Sequence, residues 1–395
     1  MTEHYDTVVV GGGLLGCLTA WMAARDGARV LLVDKGQVNQ HASGQNAGSL
    51  HFQLEYRMVE AGAEAARVAA EAMPLHLDAA NRWACMEEEI KEPLGVRQTG
   101  GLMVAENADQ VGVLEFKAEL ERSWGLDVRT LDRTELDAVA PYLSPGIVAA
   151  NFSPLEGKAD ARTAAPAVGR AAIAAGATVR TRSRLVGAHR ATNGWDLTLR
   201  QTDHAGTERT HTVRTAAVVI AAGIWTTAIG RLFDAVLPTV PLALVMTVTS
   251  KVPRFIPHLV QHAGARLSLK QSLDNTVLIG GGWPARLMSD AQGAPDLDLK
   301  PRLVPASIAG NARAAVATVP ALARVPAVRS WAGATTVAPD QLPLVGPVGG
   351  APGVFVATGG SAFTLGPSFA RVLAGLLAGA TPDIDLTPYD PARFA

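Results

Sequence analysis

Three features of the chain predict an α/β fold, with a Rossmann-like nucleotide-binding domain joined to a second, α+β domain around a mixed sheet. They are a βαβ unit at the N-terminus, a β-rich stretch beyond Pro238, and a closing strand, glycine-rich loop and helix near the C-terminus. In Thr7–Asp34, TVVVGGGLLGCLTAWMAARDGARVLLVD, the apolar run Val8–Val10 suits a strand buried on both faces, and Gly11, Gly13 and Gly16 stand where strand gives way to helix. Those glycines let backbone approach a pyrophosphate. The helix end at Leu14 and Leu15 supplies unpaired N–H groups and a dipole that favour anions. A second buried strand, Arg29–Val33, ends in Asp34, with Lys35 beside it. Asp34 can accept a ribose 2′-hydroxyl and repels a 2′-phosphate, so the unit points to FAD or NAD. A glycine turn used only for packing is the alternative, and the order strand, triplet, helix, strand, acid argues against it.

Composition bounds the rest. The 395 residues exceed one usual core, and 48% apolar content can fill two units. A net charge of -1, with 35 Lys and Arg against 36 Asp and Glu, gives no footprint for nucleic acid or an anionic membrane. Cys17 and Cys85, the 2 cysteines, lack metal-ligand spacing and fit a reducing compartment, with Cys17 expected inside the first helix. No metal site is expected. The start, with Glu3 and Asp6 before an apolar strand, lacks the basic region of a signal peptide, and Ala216–Ile229 is too short and too rich in threonine and glycine to span a bilayer. A cytoplasmic location without membrane insertion is the expectation.

Beyond the βαβ unit, Glu55–Glu92 carries apolar residues at helical spacing, divided by Pro74 into two helices. Gly100–Ala105 reads as a strand, Asp109–Trp124 and Arg133–Val139 as helices. From Ala159 the rhythm is again α/β: a helix through Ala175, a strand at Thr178–Arg180, an alternating pair at Trp195–Gln201 and His211–Val213, and a buried strand Ala217–Ala222 ending at Gly223. Strands follow at Leu242–Thr249, Arg266–Lys270 and Thr276–Gly280, with Asp274-Asn275 as turn residues between the last two. The strand Val354–Ala357 then leads through TGGSAFTLG to a helix opening near Gly366, where Pro367 suits the first turn.

HASGQNAGSLH (His41–His51), TGGLMVAE (Thr99–Glu106), VVIAAGIW (Val218–Trp225), PDQLPLVGP (Pro339–Pro347) and ATGGSAFTLGP (Ala357–Pro367), in this order after the N-terminal fingerprint, resemble the FAD-dependent D-amino-acid oxidase family. That family includes glycine and sarcosine oxidases and the β subunits of opine oxidases. The resemblance spans nearly the whole chain. It implies a discontinuous FAD-binding domain (1–54, 145–235 and 325–395) and a substrate domain (55–144 and 236–324). Matching positions place Gly11, Gly13, Gly16 and Asp34 at the ADP portion, and Ser43, Gly44, Asn46, Ala47 and Gly48 along the pyrophosphate and flavin edge. Leu185 would meet the adenine, with Ala222, Gly223 and Trp225 passing close by. Gly359, Gly360, Phe363, Thr364, Leu365 and Gly366 would bring N–H groups to the flavin N1 and C2 carbonyl, where hydride arriving at N5 leaves negative charge. FAD is expected to be non-covalent, although His41 matches the place where some dimethylglycine dehydrogenase relatives attach it through a histidine.

The chemistry implied is hydride transfer from the α-carbon of a neutral amine to flavin N5, giving an imine that hydrolyses. The sequence departs from the family after Trp331-Ala332-Gly333, where Thr335 stands at the position resembling a carboxylate-binding arginine. Arg57, Lys270 or Arg286 could replace it, or could be surface charges. His51, Lys270 and Thr335 are the catalytic candidates. Gln53, Tyr56, Arg57, His262, Trp283 and Phe363 are the substrate-pocket candidates, each with a structural role as the alternative. The leading expectation is oxidation of a secondary amine or amino acid, of opine or N-alkyl type, beside an α subunit or electron-transfer partner. A self-sufficient D-amino-acid or glycine-type oxidase is the alternative, and a flavin-holding assembly or relay subunit is the alternative of another class. An NAD enzyme would lack its usual second half, and the C-terminal helix end would have no purpose.

Overall fold

The computed structural model describes residues 2–394. Strand Glu3–Val10 lies between Val30–Val33 and Glu208–Ile220, parallel to both, and Ile220 pairs in parallel with Val356 of the strand Val354–Thr358. Leu344–Pro347 and Thr178–Arg180 close the two edges, and the hairpin Ser183–Ala191/Gly194–Thr202 extends from the long strand. This sheet is covered on one face by helices Leu14–Arg25, Ala164–Ala174 and Gly366–Leu377 and on the other by residues such as Trp195, Leu197 and Phe233. Burial on both faces explains the uninterrupted apolar runs Val8–Val10 and Val30–Val33. Every residue of the first helix except Arg25 is buried, Cys17 included. A helix apolar all round belongs in a core.

The second sheet runs in the order Ala327–Val337, Val240–Thr249, Val277–Gly280, Ser268–Gln271, Leu259–His262, Gly101–Ala105, Ala149–Ser153, Arg129–Asp132. The expected turn at Asp274-Asn275 is formed, with Asn275 at φ 68° and Asp274 Oδ1 accepting from the Thr276 hydroxyl at 2.7 Å. Ala149–Ser153 and Ala327–Val337, expected in nucleotide-binding segments, pair in this sheet. His211–Val213 and Ala217–Ala222, expected as separate strands, fall along one strand that ends at Ile220. Pro74 does not divide two helices. It sits in the first turn of Met73–Ile90, and the break lies ahead of it, after Ala63–Ala70. The helix Pro305–Thr318 had no sequence expectation. Among the described residues no helix is long and apolar enough to cross a membrane.

Candidate active site

A cavity of about 930 Å³ is lined by the C-terminal ends of the parallel strands (Val10, Val33, and Ala221 just past Ile220) and by residues of the second sheet (Leu244, Met246, Gly333, Thr335). Ligands of parallel α/β sheets bind at that end. The size lies at the upper end of the usual range for cofactor sites. Glycines keep the nucleotide end open. Gly11 adopts φ 120°, and a Cβ there would stand 2.3 Å from the Ala221 carbonyl oxygen; a Cβ on Gly16 would stand 1.8 Å from that of Gly11.

Two observations show that these residues fit FAD. Asn39 Oδ1, Ser49 Oγ and Ser183 Oγ are buried in the cavity wall without a hydrogen-bond partner in the protein. Such groups are costly to bury unless a ligand or water satisfies them. The Asp34 carboxylate accepts from the amides of Gly12 and Gly36, both at 2.7 Å, which fixes its orientation and leaves lone pairs for a ribose hydroxyl. The Leu14 amide, expected to be unpaired, is not: Ser43 Oγ accepts from it at 2.9 Å, which fixes the Ser43 loop on the helix end.

Around the dinucleotide end, Lys35 Nζ lies 3.5 Å from the centre of the Trp225 ring, and His41 packs edge-on against the same ring at 4.7 Å. Asp298 ties this group together. It pairs with Lys35, accepts from Trp225 Nε1 at 3.1 Å and from Arg184 at 3.0 Å. Burial and the neighbouring Lys35 charge push the His41 pKa down, so its imidazole is neutral at neutral pH.

The other end holds Arg57. Its guanidinium donates to Gln341 Oε1 at 2.7 Å and to Ser361 Oγ at 3.0 Å, and lies 3.2 Å from Glu55 Oε1. Burial works to raise the Glu55 pKa, but the Arg57 charge and the Ser361 hydroxyl bring it down to about 2, so it is ionised and holds the arginine in place. Ser361 and Gln341 both adopt left-handed backbone, at φ 60° and 69°. Such conformations in residues other than glycine gather at functional sites. Nearby, buried His51 shares a 2.9 Å hydrogen bond with Ser268 Oγ, and burial brings its pKa down to about 4.

Of the sequence candidates, Gly11, Gly13, Leu15, Asp34, Lys35, His41, Ser43, Asn46, Ala47, Leu185, Ala222, Gly223, Trp225, Gly359, Gly360, Phe363 and Thr364 line the cavity, with His51, Tyr56, Arg57 and Thr335. Leu14, Gly16, Gly44, Gly48, Leu365 and Gly366 lie behind that lining and shape it. Gly48, for example, has φ 69°, and a Cβ there would come 2.2 Å from the Ala159 oxygen.

Four substrate-side candidates lie outside the lining, each for a physical reason. Gln53 is consumed by a buried network, accepting from Lys117 Nζ and donating to Glu156 Oε2, both at 2.9 Å. His262 caps its own turn, with Nδ1 accepting from the Gly264 amide at 2.9 Å. Lys270 is buried and donates to the Ala159 oxygen at 3.3 Å. Trp283 donates to the Arg266 oxygen at 2.7 Å and fills the space beside Gly310. Arg286 also lies off the cavity, bridging to Arg302 through backbone. Gln341 and Ser361 stand inside the motifs at Pro339–Pro347 and Ala357–Pro367 without being singled out there, whereas Glu55, Gln261 and Ser268 carry no motif of their own.

A family model described as FAD dependent oxidoreductase matches residues 6–376. Human mitochondrial sarcosine dehydrogenase is 26% identical, over 98% of this chain but 41% of that protein, so the chain spans less than half of that relative's length. Glycine oxidase of Geobacillus kaustophilus is 25% identical over 100% of this chain and 98% of its own. The crystal structure of glycine oxidase from the same organism superposes with a TM-score of 0.84 at 24% identity, covering 99% of both chains, and shows the same fold.

Proposed function

The chain belongs to the DAO family of FAD-dependent oxidoreductases, and on that premise we propose that it oxidises the C–N bond of an amino acid or N-alkyl amino acid. The observation that carries this reading is Arg57, a clamped guanidinium in the wall of the cavity that fits FAD. FAD, when bound, supplies the hydride acceptor. Arg57 binds the substrate carboxylate and so orients the α-carbon. Thr335 offers a hydroxyl without charge, and neutral His51 offers an imidazole that does not repel an ammonium group. The substrate loses a hydride from carbon and a proton from nitrogen, and the resulting imine hydrolyses in water. The names of the relatives support this class, since glycine and sarcosine are both small amino acids.

Within that class we favour a substituted nitrogen, extending to opines with a second carboxylate. Arg266 lines the same cavity and has no carboxylate partner among the described residues, donating only to the Gly282 oxygen at 3.3 Å. In this reading the first-sheet parts of residues 1–54, 145–235 and 325–395 hold FAD, the second sheet, which also takes in Ala149–Ser153 and Ala327–Val337, covers the substrate with the rest of 55–144 and 236–324, and electrons pass to an α subunit or another partner. A self-sufficient oxidase is the second reading, favoured by the near full-length match to glycine oxidase. Anaerobic titration of the FAD-loaded protein with sarcosine, glycine and an opine tests the proposal. Bleaching of the flavin by one of them, and not by its decarboxylated amine, is the expected result, and reoxidation by air alone separates the oxidase from the partner-dependent enzyme.

A further inference from the structure

Behind the Arg57 end of the cavity, a hydroxyl, an imidazole and a carboxyl group stand in series. Ser268 and His51 both line the cavity, and Ser268 Oγ is 2.9 Å from His51 Nε2. The other ring nitrogen, Nδ1, has no hydrogen-bond partner and lies 3.9 Å from Oε1 of the fully buried Glu156. Closing that gap to hydrogen-bond length takes about 1 Å of ring movement. Residues arranged this way have an evident use for an amine substrate. Amino acids arrive as ammonium ions, yet hydride leaves the α-carbon readily only when the nitrogen carries a lone pair.

Resting on the amine-oxidation reading above, we propose that Ser268, His51 and Glu156 form a relay that removes the ammonium proton of the bound substrate, with Glu156 as its final acceptor. The N–H bond breaks as its proton passes to Ser268 Oγ, the serine proton passes to Nε2, and the Nδ1 proton passes to Glu156 Oε1, displacing one of the Phe52 and Gln53 amides that this oxygen accepts at 2.9 and 3.0 Å. His51 is neutral before and after, having changed tautomer. No electrons leave the substrate in this step.

The surroundings match the roles. Burial, with the Glu121 charge, raises the Glu156 pKa to about 7 against the backbone amide and side chain of Gln53 and the Lys117 charge, which lower it. The carboxylate can therefore take a proton near neutral pH. His51 is surrounded by Glu55, Lys270, Arg57 and Lys117, with His76 next to it, and its burial keeps it from storing the proton. Gly101 is required beside this acid, since a Cβ there would stand 1.9 Å from Glu156 Oε2.

The test uses the FAD-loaded protein, with anaerobic flavin reduction by sarcosine, glycine and an opine followed by stopped flow from about pH 6 to about pH 9. Glu156→Gln and Ser268→Ala are expected to slow reduction about 100-fold near pH 7 and to recover as the substrate amine loses its own proton, while Ser268→Thr keeps the wild-type profile. Flavin absorbance and circular dichroism establish that each variant is folded and loaded. Should Glu156→Gln fail to fold, Ser268→Ala alone decides. Profiles of Ser268→Ala and Glu156→Gln parallel to wild type overturn the relay and leave the amine-oxidation reading intact. A wild-type flavin that none of these amines reduces overturns both.

Discussion

Arg57 donates to the hydroxyl of Ser361 at 3.0 Å across 304 positions of sequence, and Ser361 holds a left-handed φ of 60° to receive it. If this arginine receives the substrate carboxylate, Arg57→Ala raises KM for an amino-acid substrate by about 100-fold, as expected for losing a charge-assisted pair. The decarboxylated amine is affected far less. Equal effects on both substrates would show that Arg57 serves only to hold the Ser361 loop.

The nucleotide end depends on a backbone approach that no side chain tolerates. Gly16→Val places carbon where the Gly11 oxygen already lies, 1.8 Å from an added Cβ. The variant is expected to purify without flavin absorbance while keeping helical circular dichroism. Full retention of yellow colour would move the ADP site elsewhere.

Asp298 fastens an extended excursion from the second sheet onto Lys35, Arg184 and Trp225. These pairs are partly exposed, worth about 1 kcal/mol each at most. Asp298→Ala is therefore predicted to weaken FAD binding about 5-fold to 10-fold, and added salt to weaken wild type in the same direction. Fluorescence titration of the apoprotein with FAD measures both effects.

His76 supplies a pH prediction. Both its ring nitrogens are buried without partners, and burial lowers its pKa from 6.5 to about 4. Below pH 6.5 the unfolded chain takes up a proton that the folded chain refuses, so stability falls between pH 6.5 and pH 4. The loss is about 3 kcal/mol for this residue. Urea unfolding of His76→Phe should show that much less acid sensitivity, and an unchanged slope with pH would assign the loss to other groups.

Where burial alone determined a segment, the sequence was readable. Val8–Val10 and Val30–Val33 are apolar throughout because helices or side chains cover both faces, and the Asp274-Asn275 turn announces its hairpin through turn chemistry. The strand Ala327–Val337 was harder to see. It is half-buried along most of its length and includes Arg329, Ser330, Thr335 and Thr336, because part of it faces the cavity. Helix Pro305–Thr318 hides for a related reason, with Asn311 buried to donate to the Gly280 oxygen at 3.0 Å.

The site divides in the same way. The glycines and loop backbone that line the cavity are local and appear as motifs. The side-chain pairs at the other end of the cavity depend on partners brought together from far apart, such as Gln341 beside Arg57 or Ser268 beside His51. Gln53 illustrates the converse: its place in the chain suggested the pocket, and in the fold buried Lys117 and Glu156 hold its side chain away from the cavity lining.

The most direct measurement is the visible spectrum of the purified, FAD-loaded protein during anaerobic addition of sarcosine, glycine and an opine. An oxidised flavin spectrum is expected, bleaching with one of these amino acids and with none of their decarboxylated counterparts. A protein that takes up no FAD, or whose bound flavin stays oxidised with every amine tried, would contradict it.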